Sequence, residues 1–313
     1  MIINGTAVSI IIPALNEAKH LPKTLGLIKQ LLGSCDGVIV ADNGSTDNTV
    51  QIALEFGAQA TIHAGVTIAE LRNQGAKLSS AALLVFIDAD VHLDHSWPTH
   101  FAETITTLTA NPMTISGSRC RAADTNNFVN RYWYGRLNNE TNHNYINSGH
   151  LIVTKYLFDK INGFNARLQT GEDYDFCQRA LQAGAVLQPY PDLIAWHEGY
   201  PSTIKGFMQR EMWHGRNEYA TWALFSASKV AIISISHLTF FLFALIAMLS
   251  YSTIWPLIGY TFCTILLCSA LTAKKFNVKP FKLFLGSTLL YYCYLIARGF
   301  AWRFRAFRPA ART

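Results

Sequence analysis

The hydrophobic positions change rhythm several times along the chain. Residues 6–14, TAVSIIIPA, are a short β-branched run closing on Pro13 and Ala14, the pattern of a buried parallel strand. Leu21, Leu25, Ile28 and Leu32 then recur at helical spacing within 17–33. GVIVADNGS (37–45) predicts a second strand ending in a polar turn, and 46–56 a helix with Asp47 and Asn48 as capping candidates. A short strand at 59–63, a helix at 68–79 and the strong strand ALLVFIDAD (82–90) follow, the last again ending in acidic residues. Beyond 117 the pattern is less regular until DLIAWH (192–197), an apolar strand, and 202–224, an amphipathic helix with basic and aromatic residues suited to a membrane interface.

Strands alternating with helices imply an α/β fold, a mostly parallel sheet flanked by helices on both faces. Ligands of such sheets bind beyond the carboxyl ends of the strands. Asn16, Glu17, Asp42, Asn43, Asp88 and Asp90 all end strands, so they are expected to converge on one crevice. No GxGxxG follows the first strand, which argues against a Rossmann dehydrogenase.

The C-terminal part reads differently. From Val230 to Ala273 there is no Asp, Glu, Lys or Arg, a stretch long enough for two spans of about 20 residues each. The expected spans are 230–249 and 254–273, with a break near 250–256 rich in Tyr, Ser, Thr, Trp and Pro. Lys229 precedes the first span and Lys274, Lys275, Lys279 and Lys282 follow the second. By the positive-inside rule both clusters, and residues 1–229, lie in the cytosol. A third apolar segment, 283–302, is expected to be interfacial or re-entrant. Crossing would carry Arg303, Arg305, Arg308 and Arg312 outside.

Composition sharpens this picture. Half of the residues are hydrophobic and only 15% are charged, against about 25% in an average soluble domain. Disorder is excluded. The net charge of +6 would suggest nucleic acid if it were spread evenly. Instead all 20 acidic side chains lie at or before Glu218, with 16 basic ones, and 10 basic side chains follow that point. The positive charge therefore belongs to the apolar tail and points to a membrane surface, not nucleic acid. Six scattered cysteines without a CxxC pair fit neither a zinc site nor a disulfide framework, and suit an intracellular protein. Val8–Pro13 reads as a strand rather than a signal peptide.

Asp88-Ala89-Asp90 follows an apolar strand, and two strand-end carboxylates suit Mg²⁺ or Mn²⁺ bound to a diphosphate. A solvated turn with helix-capping acids has the same pattern. Asp42, followed by Asn43, offers a carboxylate to the N–H groups of a nucleobase, or an Asx turn. Asn16-Glu17 occupies the equivalent place after the first strand, where Glu17 suits a ribose or base, or offsets a helix dipole. Arg72 and Lys77 lie on the helix before Asp88, placed to reach phosphate or simply solvated. Asn147-Ser148-Gly149-His150 precedes another apolar strand and is expected on the acceptor side. Thr170-Gly171-Glu172-Asp173 precedes a helix at 174–183. Asp173 suits a general base, Glu172 acceptor positioning, and both suit a helix cap; Asp175 is the rival base. His197 ends the DLIAWH strand as a metal ligand or a structural histidine.

VSIIIPALNE, VIVADNGSTDNTV, Arg72-Asn73-Gln74-Gly75, FIDADV and GEDYDFCQRA stand in the order and spacing of the family 2 glycosyltransferases. The resemblance covers about residues 6–215. It implies a GT-A fold and an inverting, metal-dependent enzyme. It implies that Pro13, Ala14, Asn16, Glu17, Asp42, Asn43, Arg72, Asp88, Ala89 and Asp90 bind a UDP- or GDP-sugar, with Asp42 on the base. It implies Asp90, Asp88 and His197 as ligands of Mg²⁺ or Mn²⁺, Asp173 as general base, and Gly149 and Glu172 on the acceptor side. The expected organisation is a GT-A catalytic domain over 1–224 (nucleotide half 1–116, acceptor half and interfacial helix 117–224) and a membrane domain over 225–313. The Gln-x-x-Arg-Trp motif of the family's processive synthases is not matched, since Gln209-Arg210-Glu211-Met212-Trp213 misplaces the arginine; this favours transfer of a single sugar. The leading expectation is transfer to a lipid-linked or surface-glycan acceptor at the cytoplasmic face of a bacterial inner membrane. The alternatives are a polyprenyl-phosphate sugar synthase and a non-catalytic nucleotide-sugar-binding membrane protein.

Overall fold

In the computed structural model, residues 1–138, 144–276 and 279–303 are described. The chain divides into two compact units, Met1–Ala123 with Asn138–Gly199, and Asp124–Leu137 with Tyr200–Thr313. Arg305, Arg308 and Arg312 lie outside the described residues.

The first unit begins with β1 (Ile2–Ile3), β2 (Thr6–Ala14), α1 (Leu21–Leu32), β3 (Val38–Asp42), α2 (Thr49–Glu55), β4 (Gln59–Ile62), α3 (Ile68–Leu78) and β5 (Leu83–Ile87). It continues with β6 (Val91–Leu93), α4 (Trp97–Ala110), β7 (Thr114–Gly117) and β8 (Arg121–Ala122). After α5 (Phe128–Tyr132), which belongs to the second unit, it resumes with β9 (His150–Thr154), α6 (Lys155–Lys160), α7 (Glu172–Gln182), β10 (Val186–Pro189) and β11 (Ala195–His197).

The main sheet has the order β10-β7-β9-β5-β2-β3-β4, with β1 paired to β2. β5, β2, β3 and β4 run parallel, as their alternation with helices requires. The two-residue β1 is antiparallel to β2, and β9 is antiparallel to β5 on one side and β7 on the other. Both faces are covered. Val8, Ile10 and Ile12 of β2 pack with Leu21, Leu25 and Ile28 of α1 and with Trp97 and Phe101 of α4. Ile11 packs on the opposite side with Ala69 and Ala76 of α3 and with Phe86, Phe158 and Phe176. Burial on both faces explains why β2 shows no polar alternation. α3 packs tightly on the sheet at Gly75, where a Cβ would stand 2.6 Å from Ile11 Cγ2. A small second sheet, β6-β11-β8, pairs His197 with Val91 and so brings it beside Asp90.

Three elements depart from the sequence expectation. α2 starts at Thr49 rather than 46, because Asp47 accepts from the backbone N–H groups of Ala18 and Thr49 and holds residues 45–48 in a turn. α7 starts at Glu172 rather than 174, since Gly171, at φ 75°, turns the chain directly into the helix. The amphipathic stretch 202–224 is not one helix. It breaks into α8 (Ile204–Gly215), a 3₁₀ turn (Arg216–Tyr219) and α9 (Trp222–Ala227), whose start is capped by Thr221 Oγ1 accepting from the Leu224 N–H.

The second unit holds α5, α8 and α9, then α10 (Lys229–Tyr251), α11 (Trp255–Lys275) and α12 (Phe281–Gly299). Among the described residues, α10 and α11 are long and apolar enough to cross a membrane, at 23 and 21 residues. Their outward positions are large and apolar, including Phe240, Phe243, Leu249, Phe262 and Ile265. Several polar groups turn inward: Ser234, Thr264 and Thr272 are buried, and His237 Nε2 and Tyr260 OH, also buried, lie 2.9 Å apart.

Gly117 ends β7 at φ 132°, and a Cβ there would stand 2.2 Å from the His150 carbonyl oxygen. Gly117→Ala is therefore expected to lower stability by about 1–3 kcal/mol through backbone strain, before the clash is counted. Denaturant unfolding of the purified protein checks this, and unchanged stability would contradict the β7–β9 packing.

Candidate active site

The site forms where strands end and the chain must turn. After β3, Asp42 is fully buried and accepts from Gly44 N–H at 2.9 Å and Ser45 N–H at 2.7 Å, and from the Ser45 hydroxyl. Its carboxylate thus organises the 42–45 turn. The Asn43 side chain clamps the Val66 backbone: Nδ2 donates to its carbonyl at 3.0 Å and Oδ1 accepts from its N–H at 3.1 Å. After β2, Asn16 adopts φ 57° and accepts from Thr46 N–H at 2.9 Å. Pro13 and Ala14 pair with Ala41 and Asp42, so the ends of β2 and β3 lie level. Glu17 follows, and its pKa is pushed up to about 7 by burial and by Asp90, Asp88 and Asp47. Burial is the larger cause, and the negative charge gathered at the strand ends adds to it.

Asp88 and Asp90 lie in the turn after β5, with Ala89 buried between them and its carbonyl accepting from Thr24 Oγ1 at 2.7 Å. Ligand atoms of Asp88, Asp90 and His197 all fall within 4.8 Å of one another. Donor atoms gathered this closely are near enough that the three side chains would hold one divalent cation. The two hard carboxylates match the donor preferences of Mg²⁺ or Mn²⁺, and the imidazole is the softer donor of the set. Two glycines leave room for the carboxylates. A Cβ on Gly149 would stand 2.8 Å from Asp88 Oδ2, and one on Gly199 1.8 Å from Asp90 Oδ2.

Arg72 projects from α3 and is 1% exposed. Its guanidinium donates to Asp88 Oδ1 at 2.5 Å and to Glu172 Oε1 at 2.9 Å. Burial alone would favour its neutral form, yet Asp88 and Glu172 hold its pKa above the usual value. Arg72 is thus a bridge inside the protein, whereas Lys77 is exposed on the same helix. Glu172 also accepts from Ser148 Oγ at 3.2 Å. The neighbouring Asp173 is half-buried and accepts from Asn147 Nδ2 at 3.1 Å. Burial and the Glu172 charge raise its pKa well above the ordinary carboxylate range. Asp175 instead pairs with Arg179 at 2.8 Å along α7.

Behind this site His150 is fully buried, and burial drives its pKa down to about 3. Trp97 Nε1 donates to His150 Nε2 at 2.9 Å, which leaves Nδ1 to carry the proton toward Ser118 Oγ, 2.8 Å away. A neutral histidine thus anchors the 147–149 turn.

The sequence reading overlooked Glu198 and Gly199. Glu198 meets Lys23 Nζ, His92 Nε2 at 3.1 Å and His20 Nδ1 at 3.5 Å, tying α1 and β6 to the strand end that carries His197. A signal existed in Trp196-His197-Glu198-Gly199, where an acid and a glycine directly follow the histidine.

The family model for glycosyl transferase family 2 matches residues 9–159. That stretch contains the ends of β2, β3 and β5, with Asn16, Asp42, Asp88 and Asp90, but neither α7 nor β11. Residues 9–159 form a family 2 glycosyltransferase domain. Glycosyltransferase AglE of Haloferax volcanii is 25% identical over 232 residues, covering 69% of this chain and 74% of that protein. Validoxylamine A glucosyltransferase of Streptomyces hygroscopicus is 35% identical over 91 residues, but this chain spans only 22% of its length. The mannosyltransferase of Pyrobaculum calidifontis, solved with GDP-Man and Mn²⁺, has a TM-score of 0.62 at 16% identity, covering 96% of this chain and 88% of that one. The last likeness places the chain in the GT-A fold.

Within the family 2 domain, Arg72 is the group whose removal should be felt most. Arg72→Met leaves Asp88 and Glu172 without their counter-charge, and breaking such a buried pair costs about 3–5 kcal/mol. Arg72→Lys should lose less, because it keeps the charge but not the two-pronged geometry. Thermal melting of the two variants against wild type checks the order; equal melting temperatures for all three would contradict it.

Proposed function

We propose that this glycosyltransferase is membrane-anchored and inverting. It moves one sugar from a UDP- or GDP-sugar to a hydroxyl on a lipid-linked or surface-glycan acceptor, at the cytoplasmic face of a bacterial inner membrane. The observation that carries the reading is Asp173: a carboxylate with a raised pKa, beside Glu172, which Arg72 links to the Asp88–Asp90–His197 cluster. Inversion needs one base for the acceptor hydroxyl on the face opposite the leaving group. Asp173 takes that proton at a carboxylate oxygen while Asn147 holds the group in place. Asp175 is engaged by Arg179 and is the poorer candidate.

Asp88, Asp90 and His197 would hold Mg²⁺ or Mn²⁺, which when bound supplies charge neutralisation for the departing diphosphate. Arg72 fixes Asp88 from behind, and Gly149 and Gly199 keep the space in front of the carboxylates open. Asn16, Glu17, Asp42 and Asn43 shape the level strand ends on which the nucleoside rests, with Asp42 acting through the 42–45 turn that it organises. Gly149 and Glu172 face the acceptor. α10 and α11 form a two-span hairpin, with residues 1–229 on the cytosolic side, in keeping with the flanking lysines.

Asp173→Asn should reduce transfer to a hydroxyl acceptor by about 10²–10⁴ while nucleotide affinity, read by calorimetry, stays near wild type. Asp175→Asn should be milder. Two fully active variants would point to a phosphate acceptor, which needs little base assistance. Asp90→Asn should weaken Mn²⁺ binding and cut transfer by about 10²–10³, and full activity in EDTA would refute the metal site.

The pH profile offers an independent check. A base acts only when deprotonated, so a raised Asp173 pKa makes the rate climb with pH through a midpoint above the ordinary value of about 4. Glu172→Gln removes the neighbouring negative charge and should move that midpoint to lower pH. A shift in the opposite direction would exclude Asp173 as the group observed.

A further inference from the structure

Both ends of α12 are bound to chain segments that precede α10. Near its start, Ser287 Oγ donates to the Tyr132 carbonyl at 2.6 Å and accepts from Arg136 Nη1 at 2.9 Å. Gly286 packs against the Tyr132 ring, where a Cβ would come within 2.3 Å. At its end, Arg298 stands 3.3 Å from Glu211 on α8 and 3.3 Å from Glu218 in the following turn. The Arg298 carbonyl accepts from Tyr219 OH at 2.8 Å. Between these points Trp133 packs against Tyr291 and Tyr294 at ring distances of 5.0 and 5.4 Å.

The bound segments, 132–136 and 211–219, carry charges and lie before Lys229. If α10 and α11 span as a hairpin, both segments sit on the side where the hairpin starts and ends. Ser287 and Arg298 are about 17 Å apart along a helix, while the hydrocarbon layer is about 30 Å thick. A helix held at both ends from one side cannot cross.

Its remaining face indicates what covers it. Phe281, Leu285 and Leu289 are exposed at four-residue spacing, followed by exposed Trp302. α12 packs against α10 and α11, whose outward faces are large and apolar, and the exposed Lys274, Lys282 and Arg303 flank the stripe in sequence. Apolar residues edged by cations suit the acyl–headgroup boundary of an anionic bilayer.

We propose that α12 lies in the plane of the cytosolic leaflet, with Phe281, Leu285, Leu289 and Trp302 buried among the upper acyl chains. The proposal rests on the reading of α10 and α11 as spans. It is tested with the full-length protein, Cys263 replaced by Ser, in phosphatidylethanolamine–phosphatidylglycerol vesicles. Nitroxide labels on Phe281→Cys, Leu285→Cys and Leu289→Cys should report one shallow depth by oxygen and nickel accessibility. A crossing helix would spread the first and last by about 12 Å, and that result would overturn the proposal. Epitopes after Ser252 and at the C-terminus separate the two readings. The C-terminal epitope should share the side of residue 1, with the Ser252 epitope opposite. A C-terminal epitope on the Ser252 side overturns the in-plane helix and leaves the hairpin standing. A Ser252 epitope on the side of residue 1 refutes the hairpin, and the proposal with it.

Discussion

The guanidinium of Arg72, almost dry between Asp88 and Glu172, sets the geometry on which the rest of the catalytic unit depends. Two carboxylates drawn from positions 84 residues apart in sequence would repel each other if brought together alone. A buried cation with a planar fork lets both approach, provided that each nitrogen finds its partner. Three elements are fixed at once: α3 by its side chain, the turn after β5 by Asp88, and the first turn of α7 by Glu172. Asp173, next in sequence, thereby receives both its position and the neighbouring charge that raises its pKa.

The mixed topology serves the same end. A wholly parallel sheet would place every strand end on one edge but would leave no strand entering from that edge. β9 runs the other way, so its start, not its end, lies at the crevice, and the Asn147–Gly149 turn arrives beside Asp88 and Asp173. The second sheet adds the last piece by seating His197 opposite Val91. Neutral His150 holds this arrangement from behind without adding charge to a site already crowded with carboxylates.

Much of the fold was legible in the sequence because β-branched runs and helical spacing are local signals. The strands at 6–14 and 59–62, the helix at 68–78 and the apolar helices near the C-terminus fall close to their expected places. The expected metal-ligand set of Asp88, Asp90 and His197, far apart in sequence, is also brought together by the fold. What escaped notice depends on pairing at a distance. No local pattern marks β9 as antiparallel, or Arg72 as a bridge to Glu172 rather than a free cation. Glu198 has meaning only once α1 and β6 stand next to it. The 3₁₀ turn that divides α8 from α9 was missed too, because the mixed basic and aromatic pattern passes through it unchanged.

The position of β9 also dictates the order of events on the ribosome. β5 is a five-residue strand made entirely of buried apolar side chains, and its partner edge is filled by β9, which begins at His150. At about 5–20 residues per second, the intervening chain takes on the order of 3–12 s to synthesise. For that interval Leu83–Ile87 presents an open, hydrophobic strand edge, the kind of surface that seeds association between nascent chains. Synthesis of the protein should therefore draw on chaperones that shield such edges, at a point well before the apolar hairpin has been translated.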